Sequence, residues 1–347
     1  MKVLLTGNTG YIGGRVVKRL REAHSGISID GMDLGFFAHC LTNVTVLPEV
    51  YVQRQLFADV RKISPEQLRG YDAVIHLAAI SNDPMGKTFE EVTAAINHRA
   101  SVALARAAKE AGVRNYVFAS SCSVYGAGGD GARTESSELN PLTAYAKSKI
   151  NTENDIKTLA ARNFNITCLR FSTACGMSER LRLDLVLNDF VAGAVSERKI
   201  SILSDGTPWR PLIHVDDMAR AMDWAMTRTG EQGGDFLVVN VGSDEWNYQV
   251  RELADAVAKA IPGTQVSLNP DAPPDKRSYR VDFSQYRKLA PNHQPQVSLN
   301  QAVAGLKQGL EAMNFRDTNF RQSTLIRLKV LAEHLERGRL NAALEWN

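Results

Sequence analysis

Short apolar runs recur along the chain at Val3 to Leu5, Ile27 to Met32, Ala73 to Ala79, Tyr116 to Ser120, Ile166 to Phe171 and Phe236 to Val241. Segments of helical pattern separate most of them, the clearest being the alanine-rich Val92 to Ala111, whose apolar positions recur at three- and four-residue intervals. A continuously apolar strand needs helices on both of its faces, so this alternation predicts parallel strands joined by right-handed crossovers. The fold class that follows is α/β, a doubly wound parallel sheet. The regularity breaks over Met177 to Pro211 and Ile261 to Asn300, where Pro, Asp and Arg interrupt short apolar pieces. These stretches read as a smaller lobe interleaved with the sheet. The sheet-forming part then comprises 1–176 and about 212–245, and the lobe with the C-terminal tail about 177–211 and 246–347. In the tail, Leu325, Ile326, Leu328, Leu331 and Leu335 form an apolar stripe that predicts a helix over Phe320 to Leu335, docked on the core.

Directly after the first apolar run stands Thr6-Gly7-Asn8-Thr9-Gly10-Tyr11-Ile12-Gly13. A strand, a glycine-rich turn and a helix start in that order make a pyrophosphate cradle of the Rossmann type. Gly7 permits the tight turn, Gly10 lets backbone N–H groups reach a phosphate, and Gly13 lets the helix approach the strand. The second run ends in Asp33, twenty residues after Gly13. A carboxylate there accepts hydrogen bonds from the adenine-ribose hydroxyls and repels a 2′-phosphate, which favours NAD over NADP; the alternative is a plain strand-end turn. Asp59 with Val60 is placed to meet the adenine edge, or to cap a helix. Doubly wound sheets bind ligands beyond the carboxyl ends of their strands, so the lobe is expected to cap the nicotinamide end.

Composition narrows the class. With 347 residues, 44% of them apolar, the chain can bury a sizeable core. Its 41 basic and 38 acidic residues are mixed along the chain, which leaves no electrostatic footprint for nucleic acid or a membrane surface. Cys40, Cys122, Cys168 and Cys175 form neither a C-x-x-C pair nor a Cys/His cluster, so neither a disulfide framework nor a metal site is expected. A reducing cytoplasm fits this usage. The N-terminus has no secretory pattern and no run of eighteen apolar residues occurs, so neither a signal peptide nor a membrane span is expected.

The candidate chemistry lies in the middle of the chain. Tyr145 and Lys149 form Y-x-x-x-K just after Asn140-Pro141, a spacing that puts both on one helix face. A phenol with pKa of about 10 is a poor base at neutral pH, and a neighbouring ammonium lowers it. Ser120-Ser121-Cys122-Ser123-Val124-Tyr125-Gly126 closes the fourth run, and a hydroxyl there can bond the oxygen that Tyr145 deprotonates. With these pieces the chain resembles the extended short-chain dehydrogenase/reductase family, in its nucleotide-sugar epimerase and dehydratase branch. T-G-x-x-G-x-x-G at Thr6 to Gly13, His76-Leu77-Ala78-Ala79, Asn97, S-S-x-S-V-Y-G, Y-x-x-x-K, Leu169-Arg170-Phe171 and Gly206 to Asp217 carry the resemblance.

The resemblance implies roles residue by residue. Tyr145 is the implied base, Lys149 its electrostatic helper and a nicotinamide-ribose ligand, and Ser121 the hydroxyl that orients the substrate oxygen. Tyr11, Ile12, Leu77, Ala78, Ala79 and Asn97 join the glycines, Asp33, Asp59 and Val60 around NAD. Arg210 matches the arginine that holds the nucleotide-sugar phosphates, and Arg277 or Arg280 closes over the nucleotide. Ser81, Ser123, Thr173 and Asn188 are implied substrate contacts, and side chains around Arg182, Asp184, Asn188 and Trp209 are expected to encode the sugar. Asp83, in the loop with Ser81 and Asn82, is a second conceivable proton carrier, or part of a turn.

Departures from the family bear on the reaction. Members resembling dTDP-glucose 4,6-dehydratase carry Thr-Asp-Glu where Ser121-Cys122-Ser123 stands, so the carboxyl groups that serve dehydration are missing. Members resembling UDP-galactose 4-epimerase carry a small pair there, which Cys122-Ser123 matches, but often an Asn where Thr173 stands. Cys122 is a candidate general acid or base for carbon epimerisation, with core packing as the alternative. The implied activity is NAD-dependent epimerisation of a nucleotide-activated sugar through a 4-keto intermediate. Nucleotide-sugar decarboxylation, atypical dehydration, 4-keto reduction and non-catalytic dinucleotide sensing stay open beside it. The family also implies a homodimer, paired through Val92 to Ala111 and the Tyr145 helix.

Overall fold

In a computed structural model, which describes residues 1–81, 83–127, 131–269 and 278–347, seven parallel strands form the central sheet. They are β1 (Lys2–Thr6), β2 (Ser28–Asp33), β3 (Arg54–Phe57), β4 (Ala73–His76), β5 (Asn115–Ser121), β6 (Asn165–Phe171) and β7 (Phe236–Val241). Their order is β7-β6-β5-β4-β1-β2-β3, so the chain reverses direction between β1 and β4 and opens a crevice beyond the strand ends there.

Alternate residues feed the two faces, as the pleat requires. Val3, Leu5, Ile29, Ile75, Val117 and Leu169 pack with α1 (Gly13–Ala23) on one side. Leu4, Met32, Val74, Tyr116, Phe118 and Ile166 pack on the other with α2 (Ser101–Glu110) and with Ile156 of α3 (Ala144–Lys157). A separate apolar cluster unites α4 (Val186–Glu197), α6 (Val250–Ala260) and α7 (Leu299–Ala312), while α5 (Val215–Thr227) returns to the α1 face. Short sheets tie these parts together: Trp209–His214 runs parallel to Thr173–Cys175 and antiparallel to Asn247–Gln249. All four cysteines are free and buried.

Four local differences from the sequence pattern matter for the cleft. β4 stops at His76, and Leu77 to Ala79 leave the sheet to form a wall. The edge strand β3 has no apolar run, because one side of an edge strand meets solvent. The Val92 to Ala111 helix is interrupted by a π-helical stretch, Ala94–Ala100, that holds Asn97. The tail helix α8 begins only at Arg327 and ends at Glu336, after a single 3-10 turn at Phe320–Gln322.

The tail packs where the pattern placed it, against the body of the protein. The Trp346 indole N–H donates to the Leu34 carbonyl at 2.6 Å, and His334 Nε2 lies 3.0 Å from the Phe36 carbonyl. Arg61 donates to the carbonyl of Ala343 at 2.7 Å.

Candidate active site

The crevice between β1 and β4 begins at the glycine-rich turn. Gly7 has φ of +75°, and a Cβ there would lie 2.7 Å from the Ala78 nitrogen. A Cβ on Gly13 would lie 2.2 Å from the Asn8 carbonyl oxygen, so only glycine lets α1 start this close to the turn. α1 has no side-chain cap and no acidic residue in its first turn. Its N-terminal N–H groups and positive dipole end are thus free of a capping side chain from the helix itself, as an anion site requires, although the Glu179 carboxylate lies beside Gly14.

Gly7, Gly10, Tyr11, Ile12, Asp33, Asp59, Val60, Leu77, Ala78 and Ala79 all line this half of the cleft. Asp33 accepts from Thr9 N at 3.2 Å and Gly35 N at 2.8 Å, and burial raises its pKa against the lowering effect of those bonds. Asp59 also takes the capping role, accepting from Arg61 N at 2.9 Å and pairing with its guanidinium. The wall Leu77 to Ala79 is held from below by His76, whose ring nitrogens lie 2.7 Å from Thr6 Oγ1 and 2.7 Å from Ser101 Oγ. Burial pushes this histidine down to about 3, so it is a neutral clamp.

Tyr11, Ile12, Leu77, Ala79, Ser81 and Arg182 continue into a second, larger half of the cleft. Ser121, Ser123, Tyr145, Lys149, Thr173 and Arg210 line it. Ser121 ends β5 and its Oγ accepts from Ser123 N at 3.1 Å. The Ser123 hydroxyl oxygen is buried without a hydrogen-bond partner among the described residues. Lys149 donates to the Ala119 carbonyl at 2.7 Å, and its ammonium lies 5.4 Å from the centre of the Tyr145 ring. Burial pushes Lys149 down to about 8, although Glu153 one turn later opposes the shift. Glu153 is itself held by Arg170 at 2.6 Å and by Ser120 Oγ at 2.5 Å.

Several predicted contacts sit elsewhere. Cys122 turns into the core, its Sγ donating to the Arg170 carbonyl at 3.0 Å, and burial raises the thiol pKa. That placement corrects the proton-transfer expectation: a buried neutral thiol bonded to the sheet backbone has no access to the cleft. Asn97 is also outside the lining and clamps Ile80 through both backbone groups, at 2.8 and 2.9 Å. Asn188 is fully buried, with Nδ2 donating to the Tyr11 hydroxyl at 3.0 Å and to the Arg182 carbonyl at 2.8 Å; it positions the wall from behind. Gly13 likewise packs on the turn rather than lining the cleft. Arg280 is exposed and stacks over Trp209 at 5.3 Å. Arg277 and Asn82 lie outside the described residues, as does the side chain of Asp83.

Arg321 and Arg327 line the cleft although no motif marks them. An isolated arginine in an amphipathic tail reads as solvated surface, and only docking of the tail brings Arg327 inside and the exposed Arg321 to the cleft. Arg182 and Asp184, already suspected, form a buried pair at 2.8 Å that reaches Ser81 Oγ through Arg182 at 3.0 Å. Asp189 is paired with Arg321 at 2.8 Å.

The glycine cradle, the open helix start and the carboxylate at the end of β2 fit an extended dinucleotide. Comparison with known proteins agrees. Residues 3–242 match the model of the NAD dependent epimerase/dehydratase family. A UDP-glucose 4-epimerase of Mycolicibacterium smegmatis is 28% identical over 88% of this chain and 96% of its own. The solved structure of MoeE5 in complex with UDP-glucose and NAD is 26% identical, with a TM-score of 0.76 over 90% of this chain and 99% of that one. The fold is shared, at the same TM-score of 0.76 and 21% identity, with the NAD-dependent NDP-hexosamine 5,6-dehydratase TunA, over 92% of this chain and 99% of that one. With more than half of its length matched by the family model, and its cleft built as a dinucleotide site, this chain belongs to the NAD-dependent epimerase/dehydratase family.

Proposed function

We propose that the protein interconverts C4 epimers of a nucleotide-activated sugar. The observation that carries this reading is the composition of the catalytic end of the cleft: Tyr145, Lys149 and Ser121 converge there, and beside them stands the Ser123 hydroxyl where a dehydratase would place a carboxyl group. Among the described residues, the acidic side chains that also line this half are Asp184 and Asp189, each paired with an arginine.

In this reading Tyr145 takes the proton from the C4 hydroxyl and returns it after the ring has turned over. Lys149, poised near neutrality and adjacent to that ring, favours the phenolate and holds a ribose hydroxyl. Ser121 bonds the reacting oxygen. Arg210 holds the diphosphate of the substrate through its fork, with Arg277 or Arg280 toward the nucleotide. Ser81, Ser123 and Thr173 face the sugar. NAD, the cofactor of the family, supplies reversible hydride acceptance when bound. Asp33 favours it over the 2′-phosphorylated form, since a carboxylate in that position repels the phosphate.

The test is to incubate the full-length protein with a panel of UDP- and dTDP-linked sugars and follow the products by proton NMR. A mixture of C4 epimers without accumulating reduced nicotinamide is the expected result. A product that has lost carbon dioxide or water would replace the reading by decarboxylation or dehydration. A protein that converts no nucleotide sugar, and works in the cell equally well as Tyr145→Phe, would be a dinucleotide sensor. The proposal includes a cytoplasmic homodimer. Among the described residues no helix is long and apolar enough to cross a membrane.

A further inference from the structure

Arg327, the first residue of α8, is 1% exposed and lines the dinucleotide half of the cleft, 5.0 Å from the centre of the Phe37 ring that lines it too. Other buried arginines of the region have carboxylate partners: Arg180 has Glu49 at 2.8 Å and Arg182 has Asp184 at 2.8 Å. Arg327 has none within ion-pair distance among the described residues. Its Nη1 and Nη2 donate to backbone carbonyls, of Thr324 at 3.1 Å, Arg180 at 2.7 Å and Leu181 at 3.2 Å, and its Nε has no partner among the described residues. Arg228, also buried without a carboxylate, is different: its Nε, Nη1 and Nη2 are all bonded, and it lines neither half of the cleft. Taking a guanidinium from water without a counter-ion within ion-pair distance is unfavourable, and an anion brought beside it relieves that cost.

Location identifies the anion. Arg327 grips the backbone just before Arg182, and Arg182 lines both halves of the cleft at their junction. A dinucleotide that runs from Asp33 to Tyr145 must carry its diphosphate across that junction, beside the start of α1. At the adenosine end the two carboxylates of the wall already have arginines, Asp59 paired with Arg61 and Asp33 facing the charge of Arg180, so the diphosphate is the anion left for Arg327.

We propose that Arg327 is a ligand of the dinucleotide's diphosphate, contributed by the C-terminal tail to the same half of the cleft that the glycine-rich turn lines. The Arg327 charge, which feels Asp184 only at a distance because that carboxylate is paired with Arg182, is completed when cofactor binds, so tail docking and cofactor retention reinforce one another. The inference rests on the family's cofactor and is independent of which sugar is turned over.

The test compares ligands that differ only in the phosphates. Full-length wild type, Arg327→Gln and Arg327→Lys are freed of nucleotide and titrated calorimetrically with ADP and with adenosine, after circular dichroism has checked folding. Arg327→Gln should weaken ADP tenfold or more while leaving adenosine within twofold, Arg327→Lys should fall between, and NAD co-purified with Arg327→Gln should drop well below the wild-type stoichiometry. If Arg327→Gln does not fold, the Arg327→Lys comparison decides, with ADP weakened selectively as the expected result. Equal weakening of ADP and adenosine, or no change in either, would overturn the inference and leave Arg327 as a brace for the tail. A protein that converts no nucleotide sugar but binds ADP through Arg327 would overturn the epimerase reading alone.

Discussion

At the scale of single residues, the site depends on charges held away from water. Lys149 is the clearest case, its folded pKa of about 8 standing below the ordinary 10.5 because it is buried. Below pH 8 the ammonium is charged in both folded and unfolded chains, so the burial penalty is fully present. Between about 8 and 10.5 the unfolded chain keeps the proton and the folded one releases it, so folding stability rises with pH through that window. Denaturant unfolding of wild type against Lys149→Met across pH 7 to 11 should show this gain, on the order of 3 kcal/mol at most, in the wild type alone. Tyr145→Phe should lower epimer formation by about a hundredfold to ten-thousandfold while leaving bound NAD stoichiometric, because only proton transfer is removed. Cys122→Ala should keep turnover within about twofold and lower stability by about 1 kcal/mol, the cost of a lost buried thiol; a pH–rate profile and a thermal melt check both. That Tyr145, Lys149 and Ser121 share one cleft was legible in the sequence, because two sit at a short helical spacing and the third ends a strand. Cys122 is not, since neighbours on a strand end can point to opposite sides and residue type does not say which.

Among elements, the glycine-rich turn and α1 make one rigid unit with the sheet. Gly13→Ala puts a Cβ 2.2 Å from the Asn8 carbonyl oxygen, backbone against backbone, which no rotamer relieves. We expect it to destabilise the protein by about 1–3 kcal/mol and to lose most bound NAD, measured by thermal unfolding and by cofactor released on denaturation. Six of the seven strands were readable from apolar runs, and β3 was not, because an edge strand needs no apolar run on its solvent side. The π-helical Ala94–Ala100 was equally hidden: its composition is that of any alanine-rich helix, and the irregularity coincides with Asn97 clamping Ile80. Asn97 and Asn188 illustrate the same limit. Amide side chains near a cleft look like ligand contacts in sequence, but both are used to hold backbone that does line it.

For the whole molecule, the sheet edge and the tail decide what the cleft contains. If Val92 to Ala111 and α3 pair with their copies, light scattering should give a mass twice that of the 38.2 kDa chain, and a single-chain mass would remove the dimer from the proposal. The glycine-rich turn, the alternation of strands with helices, and the placing of Asp33 at the end of a strand and of Y-x-x-x-K on one helix were determined by the sequence by itself, because each is a local matter of backbone freedom, periodicity or spacing within one element. Tertiary structure alone decided that Cys122 faces the core, that Asp184 and Asp189 are neutralised by Arg182 and Arg321, and that Arg327 reaches the cofactor half of the cleft. These facts join residues as far apart in the chain as Gly10 and Arg327. For Arg321 and Arg327 the physical cause is the burial of the apolar face of the tail, which carries its arginines wherever that face docks, and no local pattern encodes the destination.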